Sequence, residues 1–225
     1  MIQNICIFGD SVAKGVIFDS AKNKYRLLKE SFANIVQSKQ NISISNYAKF
    51  GCTISMGNNI LRRYEDKLSG FDFTILEFGG NDCDYDWAEI SDQPYKIHLA
   101  KTPIQQFREE YIALIGRVKQ NGGIPILLTL PPIDSNRYFQ WISKGLNGKN
   151  ILTYLGNVDA IHTWQGLYSA AVTEIAESCK VSIIDIRSAF LEKQDYREYL
   201  CEDGIHPNSK GHLLISDAID KKTFL

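Results

Sequence analysis

Paired cysteines, an excess of either charge and long apolar runs are all missing from this 225-residue chain. The five cysteines (Cys6, Cys52, Cys83, Cys179 and Cys201) are odd in number and none shows C-x-x-C spacing. That excludes a disulfide framework or a zinc site as the basis of the fold and fits a reducing cytoplasm. Cys6 lies inside an apolar run and reads as core packing. With 25 basic and 26 acidic residues the formal net charge is −1, so no nucleic acid or anionic membrane is expected as partner. The longest apolar stretch, Ile124 to Ile133, is too short to span a bilayer and is interrupted by Pro131-Pro132. No basic leader with a long apolar core precedes the first strand pattern, so a soluble, cytoplasmic protein without membrane insertion is expected. There is also no P-loop and no G-x-G-x-x-G, and no cofactor is expected.

What remains is an alternation of strand and helix patterns. Asn4 to Phe8 is a short apolar run ended by Gly9, as in a strand buried on both faces. Further strands are predicted over Ile42–Tyr47, Phe71–Phe78, Ile124–Leu130 and Val181–Ile186. Helical spacing predicts helices over Tyr25–Ser38, Ser55–Lys67, Gln165–Cys179 and Asn208–Lys221. A long helix is predicted from Thr102-Pro103, with Thr102 as cap and Pro103 at the first helical position, to Asn121-Gly122-Gly123. Five strands interleaved with five helices imply an α/β fold of three layers, a flavodoxin-like doubly wound parallel sheet with helices on both faces. No repeat or low-complexity linker divides the chain, and residues 1–225 read as one domain. The stretch 133–164 is too long for an ordinary connection and carries its own helical piece, Arg137 to Leu146. It reads as an insertion or lid over the site, the alternative being a surface excursion.

In such a sheet, ligands meet the loops that leave the carboxyl ends of the strands. Four segments there carry chemistry. Gly9-Asp10-Ser11 follows the first strand and offers a hydroxyl. Asn46 to Thr53, with Gly51, follows the second. Gly79-Gly80-Asn81-Asp82 follows the third, and Asp203-Gly204-Ile205-His206-Pro207 precedes the last helix. A serine hydroxyl needs a base, imidazole serves near neutral pH, and a carboxylate fixes the imidazole tautomer. Glycine N–H groups and an asparagine amide can hold a developing oxyanion. Singly each segment is a turn or a helix cap; together they supply every part of an acyl-transfer site.

These four segments, in this order from Gly9 to Pro207, resemble the blocks of the SGNH/GDSL hydrolase superfamily. The resemblance implies a flavodoxin-like fold and hydrolysis of esters or thioesters. It implies Ser11 as nucleophile, His206 as base and Asp203 as its partner, with Ser11 N–H, Gly51 N–H and the Asn81 side chain as oxyanion donors. A carboxylesterase of small-molecule esters is expected, with short acyl or O-acetyl groups favoured. Thioesterase, lysophospholipase or acyltransferase chemistry on the same site, and a silent binding protein, are the alternatives.

Asp10, Asp82, Tyr85 and Trp87 are expected to border the substrate. The spacing Asp82-x-Asp84-x-Asp86 looks like the start of a calcium loop, but Trp87 stands where glycine is needed and Gln93 where glutamate is, so no metal is expected. His98, His162 and His212 lack partners at ligand spacing. His212, on the last helix, is expected at the surface, and His162 near the lid. Lys14 and Lys49 are expected to be solvated.

Overall fold

The computed structural model describes residues 3–222. In chain order, strand β1 (Asn4–Gly9) runs into a single helical turn, α1 (Ser11–Lys14), and then a hairpin of β2 (Val16–Asp19) and β3 (Lys24–Leu27). Helix α2 (Phe32–Gln40), β4 (Ser43–Asn46), α3 (Ile54–Leu61) and a 3₁₀ stretch (Arg62–Gly70) lead to β5 (Phe73–Glu77). Helices α4 (Trp87–Asp92) and α5 (Ile104–Gln120) precede β6 (Pro125–Leu128). Three helices follow, α6 (Ser135–Ile142), α7 (Gly148–Leu155) and α8 (Ala160–Cys179), before β7 (Ser182–Ile184). The described chain ends with α9 (Ile186–Leu191), a 3₁₀ turn (Tyr196–Tyr199) and α10 (Ser209–Lys222).

Five strands form one parallel sheet in the order β4-β1-β5-β6-β7. This is the doubly wound order, with its switch point between β1 and β5. Because successive side chains point to opposite faces, the apolar runs of the strands divide between two cores. Cys6, Phe8, Leu76 and Leu127 meet Leu61, Leu114 and Val172 on one face. Ile5, Ile7, Ile75 and Ile126 meet Phe32, Val36 and Ile215 on the other. The central strands β1, β5 and β6 are largely apolar because each face is covered by helices, whereas the edge strand β4 is Ser-Ile-Ser-Asn. Removing the fully buried Phe8 ring would cost about 3–5 kcal/mol.

Several local expectations are corrected. Tyr25 to Leu27 is strand, not helix: it pairs antiparallel with Val16–Asp19, Phe18 opposite Tyr25, and the helix begins only at Phe32. The pattern over Ser55–Lys67 is α-helical to Leu61 and tightens to 3₁₀ thereafter. Thr102 does not cap α5. Pro103 stands at the cap, and the Thr102 hydroxyl instead donates to Asp82 Oδ1 at 2.7 Å. His212 is not at the surface but fully buried, its Nδ1 accepting from Phe32 N at 3.3 Å and its ring stacked on Phe32. It packs against α2, not solvent, and burial lowers its pKa to about 4. Segment 133–164 forms α6, α7 and the start of α8, and Ile133, Tyr138 and Ile161 cluster there with Ile205.

Candidate active site

Ser11 stands two residues past the end of β1. Asp10 sets off the turn α1 by accepting from Val12 N at 2.8 Å, and Gly15 ends it at φ 80°, in the left-handed region open to glycine. As the first residue of the turn, Ser11 has an N–H that no carbonyl of the same helix can accept. His206 comes from the loop before α10. Asn208 caps that helix through Lys210 N and Gly211 N, which leaves His206 on the loop.

Ser11, His206 and Asp203 lie in one hydrogen-bonded line. Ser11 Oγ is 2.9 Å from His206 Nε2, and His206 Nδ1 is 2.6 Å from Asp203 Oδ2. The other carboxylate oxygen, Oδ1, accepts from the backbone N–H groups of Ile205 and His206, each at 3.2 Å. Asp203 is fully buried, while Ser11 and His206 are buried but reach the cavity in front of them. A carboxylate taken out of water needs such donors, and here two backbone N–H groups and an imidazole supply them.

On the far side of Ser11, the Asn81 amide donates to Asp10 Oδ2 at 3.0 Å. That bond fixes which end of the amide is nitrogen and leaves its second N–H for a ligand. Gly51 adopts φ 71° and lines the cavity with Asn81 and Gly80. A Cβ at Gly80 would sit 3.1 Å from Asp10 Oδ2, so bare backbone keeps this carboxylate in place.

Beneath Asp10 lies Glu77, the last residue of β5, fully buried and unread in the sequence. Its Oε2 accepts from Ala13 N at 3.2 Å and from Asp10 N at 3.4 Å. Burial, and then the neighbouring Asp10 charge, hold the Glu77 carboxyl protonated well above the usual carboxylate range. Burial also raises Asp10, but the Val12 N–H, the Glu77 carboxyl, His206 and Asn81 all favour its charged form. Asp10 therefore carries the charge of the pair, and Glu77 is the neutral member.

The other expected residues divide. Tyr85 and Trp87 line the cavity, and Asp10 borders it beside Ser11. Asp82 does not line it: fully buried, it accepts from Ile54 N and the Thr102 hydroxyl and ties α3 to the segment before α5. Burial raises its pKa to about 6. Asp84 accepts from Trp87 Nε1, Tyr138 Oη and Lys101 Nζ, and Asp86 caps α4 through Glu89 N. The three aspartates thus serve three separate structural contacts. His162 donates Nδ1–H to Ile133 O and accepts from Arg187, away from Ser11.

The cavity holds about 670 Å³. Its walls include Leu130, Pro131, Ile133 and Ile161 and the aromatic rings of Tyr85, Trp87, Tyr138 and Trp164. The polar edges of three of these rings are taken: Trp164 Nε1 donates to Cys83 O, and Trp87 and Tyr138 to Asp84. What they offer a ligand is therefore mainly ring faces. Sequence reasoning missed Tyr25, Tyr138 and Trp164. Alternation of Val16 and Phe18 with Tyr25 and Leu27 around a polar turn was the available sign of the hairpin. No helix among the described residues is long and apolar enough to cross a membrane.

Comparison with known proteins bears on the family and the fold. The model of the GDSL-like Lipase/Acylhydrolase family matches residues 7–214. A GDSL esterase/lipase of Arabidopsis thaliana is 22% identical over 99% of this chain and 86% of its own length. Among solved structures, a lipase/acylhydrolase from Enterococcus faecalis superposes with a TM-score of 0.68 at 19% identity, covering 98% of this chain and 95% of its own. An acetylxylan esterase from Geobacillus stearothermophilus, solved as a catalytic mutant, gives 0.64 at 18% identity over 99% and 95%. At these identities the structural likenesses speak for the fold.

Proposed function

This chain belongs to the GDSL-like lipase/acylhydrolase family, whose members hydrolyse esters, and from that premise we propose that it cleaves small-molecule carboxylic esters with Ser11 as nucleophile. The observation that carries the reading is the line Ser11 Oγ–His206 Nε2–Asp203, at 2.9 and 2.6 Å, opening on a cavity. Asp203 holds the proton on Nδ1, so Nε2 is the lone-pair nitrogen and takes the Ser11 proton as the hydroxyl attacks. The carbonyl oxygen of the ester, turning anionic, is held by the Ser11 and Gly51 N–H groups and by the second N–H of Asn81. His206 then passes its proton to the leaving alcohol, and water releases the acyl group by the same steps in reverse.

Segment 133–164 acts as the cover of this site, since Ile133, Tyr138, Tyr154 and Ile161 all face the cavity. Short acyl groups, O-acetyl among them, are the favoured acyl part: Tyr85, Trp87 and Trp164 offer faces on which the ring of a sugar alcohol stacks. The second reading is a longer acyl chain. A cavity of about 670 Å³ with Leu130, Pro131 and Ile133 in its wall favours it, being the size of sites that take drug-sized ligands.

Hydrolysis of p-nitrophenyl acetate, butyrate and octanoate by the parent and by Ser11→Ala tests both. Activity is expected to vanish in the variant. A rate highest with acetate supports the short-acyl reading, and one highest with octanoate supports the second. Turnover that survives Ser11→Ala would overturn the mechanism.

A further inference from the structure

A second cavity, of about 540 Å³, adjoins the active site, and Phe50 stands in the wall of both. Three cations line it, each from a different element. Lys14 ends α1, Lys49 lies in the loop after β4, and Arg63 belongs to the 3₁₀ stretch after α3. No carboxylate lines this cavity, and among the described residues none of the three cations forms an ion pair. Glu65, on the same stretch as Arg63, is taken by Arg117 at 2.7 Å. Lys49 and Arg63 are exposed, but Lys14, expected to be solvated, is partly buried. Asn46 donates to Ala13 O at 2.8 Å and accepts from Ala48 N at 3.0 Å, and Lys49 N donates to Gly9 O at 3.1 Å. These bonds tie the turn that carries Ser11 and Lys14 to the loop that carries Lys49, Phe50 and Gly51. Much of the remaining wall is aromatic: Tyr47 and Tyr64 stack with their centroids 4.0 Å apart, and neither hydroxyl has a partner among the described residues.

We propose that this second cavity is an anion-binding subsite for the alcohol part of the ester, taking a carboxylate or phosphate that the alcohol carries. The proposal deepens the esterase reading given above and rests on it. His206 returns its proton to the leaving alcohol, so that part of the substrate departs on the side of the imidazole. There Phe50 stands nearly parallel to the His206 ring at 6.1 Å and is more than half exposed. An alcohol too long for the main cavity therefore passes over Phe50 into the second one. Lys14 is close to the reacting centre, three residues beyond Ser11 or about 4.5 Å along the axis of their turn.

The charge pattern selects the ligand. A cleft lined by one sign of charge with low-dielectric walls focuses its field, so three cations without partners attract an anion more strongly here than on an open face. Carboxylate and phosphate oxygens also accept from phenol hydroxyls, which Tyr47 and Tyr64 have to offer. With a net charge of −1, the chain as a whole has no such preference for anions. The attraction is therefore local to this cavity, and it acts on binding of the alcohol, not on the bond being broken.

Two matched pairs of acetyl esters test it: 1-acetylglycerol 3-phosphate against 1-acetylglycerol, and O-acetylated glucuronic acid against its methyl ester. The expected result is a kcat/KM about tenfold higher for the charged member of at least one pair, expressed in KM. The pair with the larger ratio tells phosphate from carboxylate. Lys14→Gln/Arg63→Gln should bring that ratio down to within about threefold of one, as should salt at about 0.5 M. The control Lys22→Gln/Lys180→Gln, which removes two exposed charges outside the cavity, should keep it. A ratio near one for both pairs in the parent would overturn the proposal. So would a ratio that Lys14→Gln/Arg63→Gln leaves intact or that the control lowers equally. Calorimetric titration of Ser11→Ala with glycerol 3-phosphate and glucuronate, against glycerol and glucose, reads the subsite without turnover. Anion-selective binding in a chain whose parent hydrolyses none of the esters would sink the esterase reading and leave the subsite standing.

Discussion

Replacing Asp203 with asparagine should disable the enzyme without unfolding it, and the structure says which way the new amide must face. Asp203 Oδ1 accepts from the Ile205 and His206 backbone N–H groups, each at 3.2 Å. In Asp203→Asn only the carbonyl oxygen can occupy that place, because an NH₂ group there would face two donors. The NH₂ group must then take the position of Oδ2, 2.6 Å from His206 Nδ1. Facing a donor, Nδ1 becomes an acceptor, and the imidazole proton moves to Nε2. A protonated Nε2 directed at Ser11 Oγ, 2.9 Å away, cannot accept the hydroxyl proton. The wrong tautomer costs about 10⁴-fold in kcat, about 5 kcal/mol of barrier, with KM nearly unchanged. Initial rates on the best p-nitrophenyl ester give kcat and KM. Urea unfolding of the same preparation checks that stability is held, as both backbone donors keep their acceptor. A folded variant that loses less than about tenfold would refute the reasoning, since the tautomer could not then be what Asp203 fixes.

The same logic makes a contrary prediction for Glu77. Held neutral by burial and by the Asp10 charge, it accepts Ala13 N–H and Asp10 N–H on Oε2, which the carbonyl oxygen of a glutamine amide reproduces without a charge. Glu77→Gln should stay within about threefold of the parent in kcat and unfold at the same urea concentration. A loss of a hundredfold would mean that the group works as an anion. For His212 the folded pKa, lowered to about 4 by burial, lies below the ordinary value of 6.5. Between these values the unfolded chain takes up a proton that the folded chain refuses, so stability falls as pH falls. From pH 6.5 to 4.5 the parent should lose about 2 kcal/mol more unfolding free energy than His212→Gln does. Urea unfolding at the two pH values measures the difference, and parallel losses in the two proteins would contradict it.

Those buried groups also mark where the sequence stops being readable. The parallel sheet was legible because strands covered on both faces must be apolar on both, and Asn4–Gly9 and Phe73–Glu77 are written that way up to their last residues. That Ser11, Asn81 and His206 meet at one end of the sheet was legible because each lies within two residues of a glycine or proline at a strand end or before a helix, where ligands of such a sheet gather. Glu77 was not, since a carboxylic acid ending an apolar strand looks like the edge of that strand. Only its placement under Asp10, across from the neighbouring strand, reveals a neutral carboxyl. His212 was misread for the same reason. Helical spacing tells which residues share a face, but a polar residue on the buried face looks exposed until its partner, here Phe32 N at 180 positions' remove, is known.

The hairpin failed for a different reason. Leu27, Leu28, Phe32, Ile35 and Val36 satisfy a helical spacing, yet Leu27 belongs to a strand and is largely exposed. The apolar side chain that matters there is Tyr25, and it is retained by aromatic contacts with Phe18, Phe50 and Trp141, which are 7, 25 and 116 positions away. No window of the sequence contains those partners together. The four segments that announce an acyl-transfer site fix what bond can be broken. The aromatic rings packed around His206 come from the hairpin and Phe50, backed by Trp141 of α6, and they become visible only when the chain has folded.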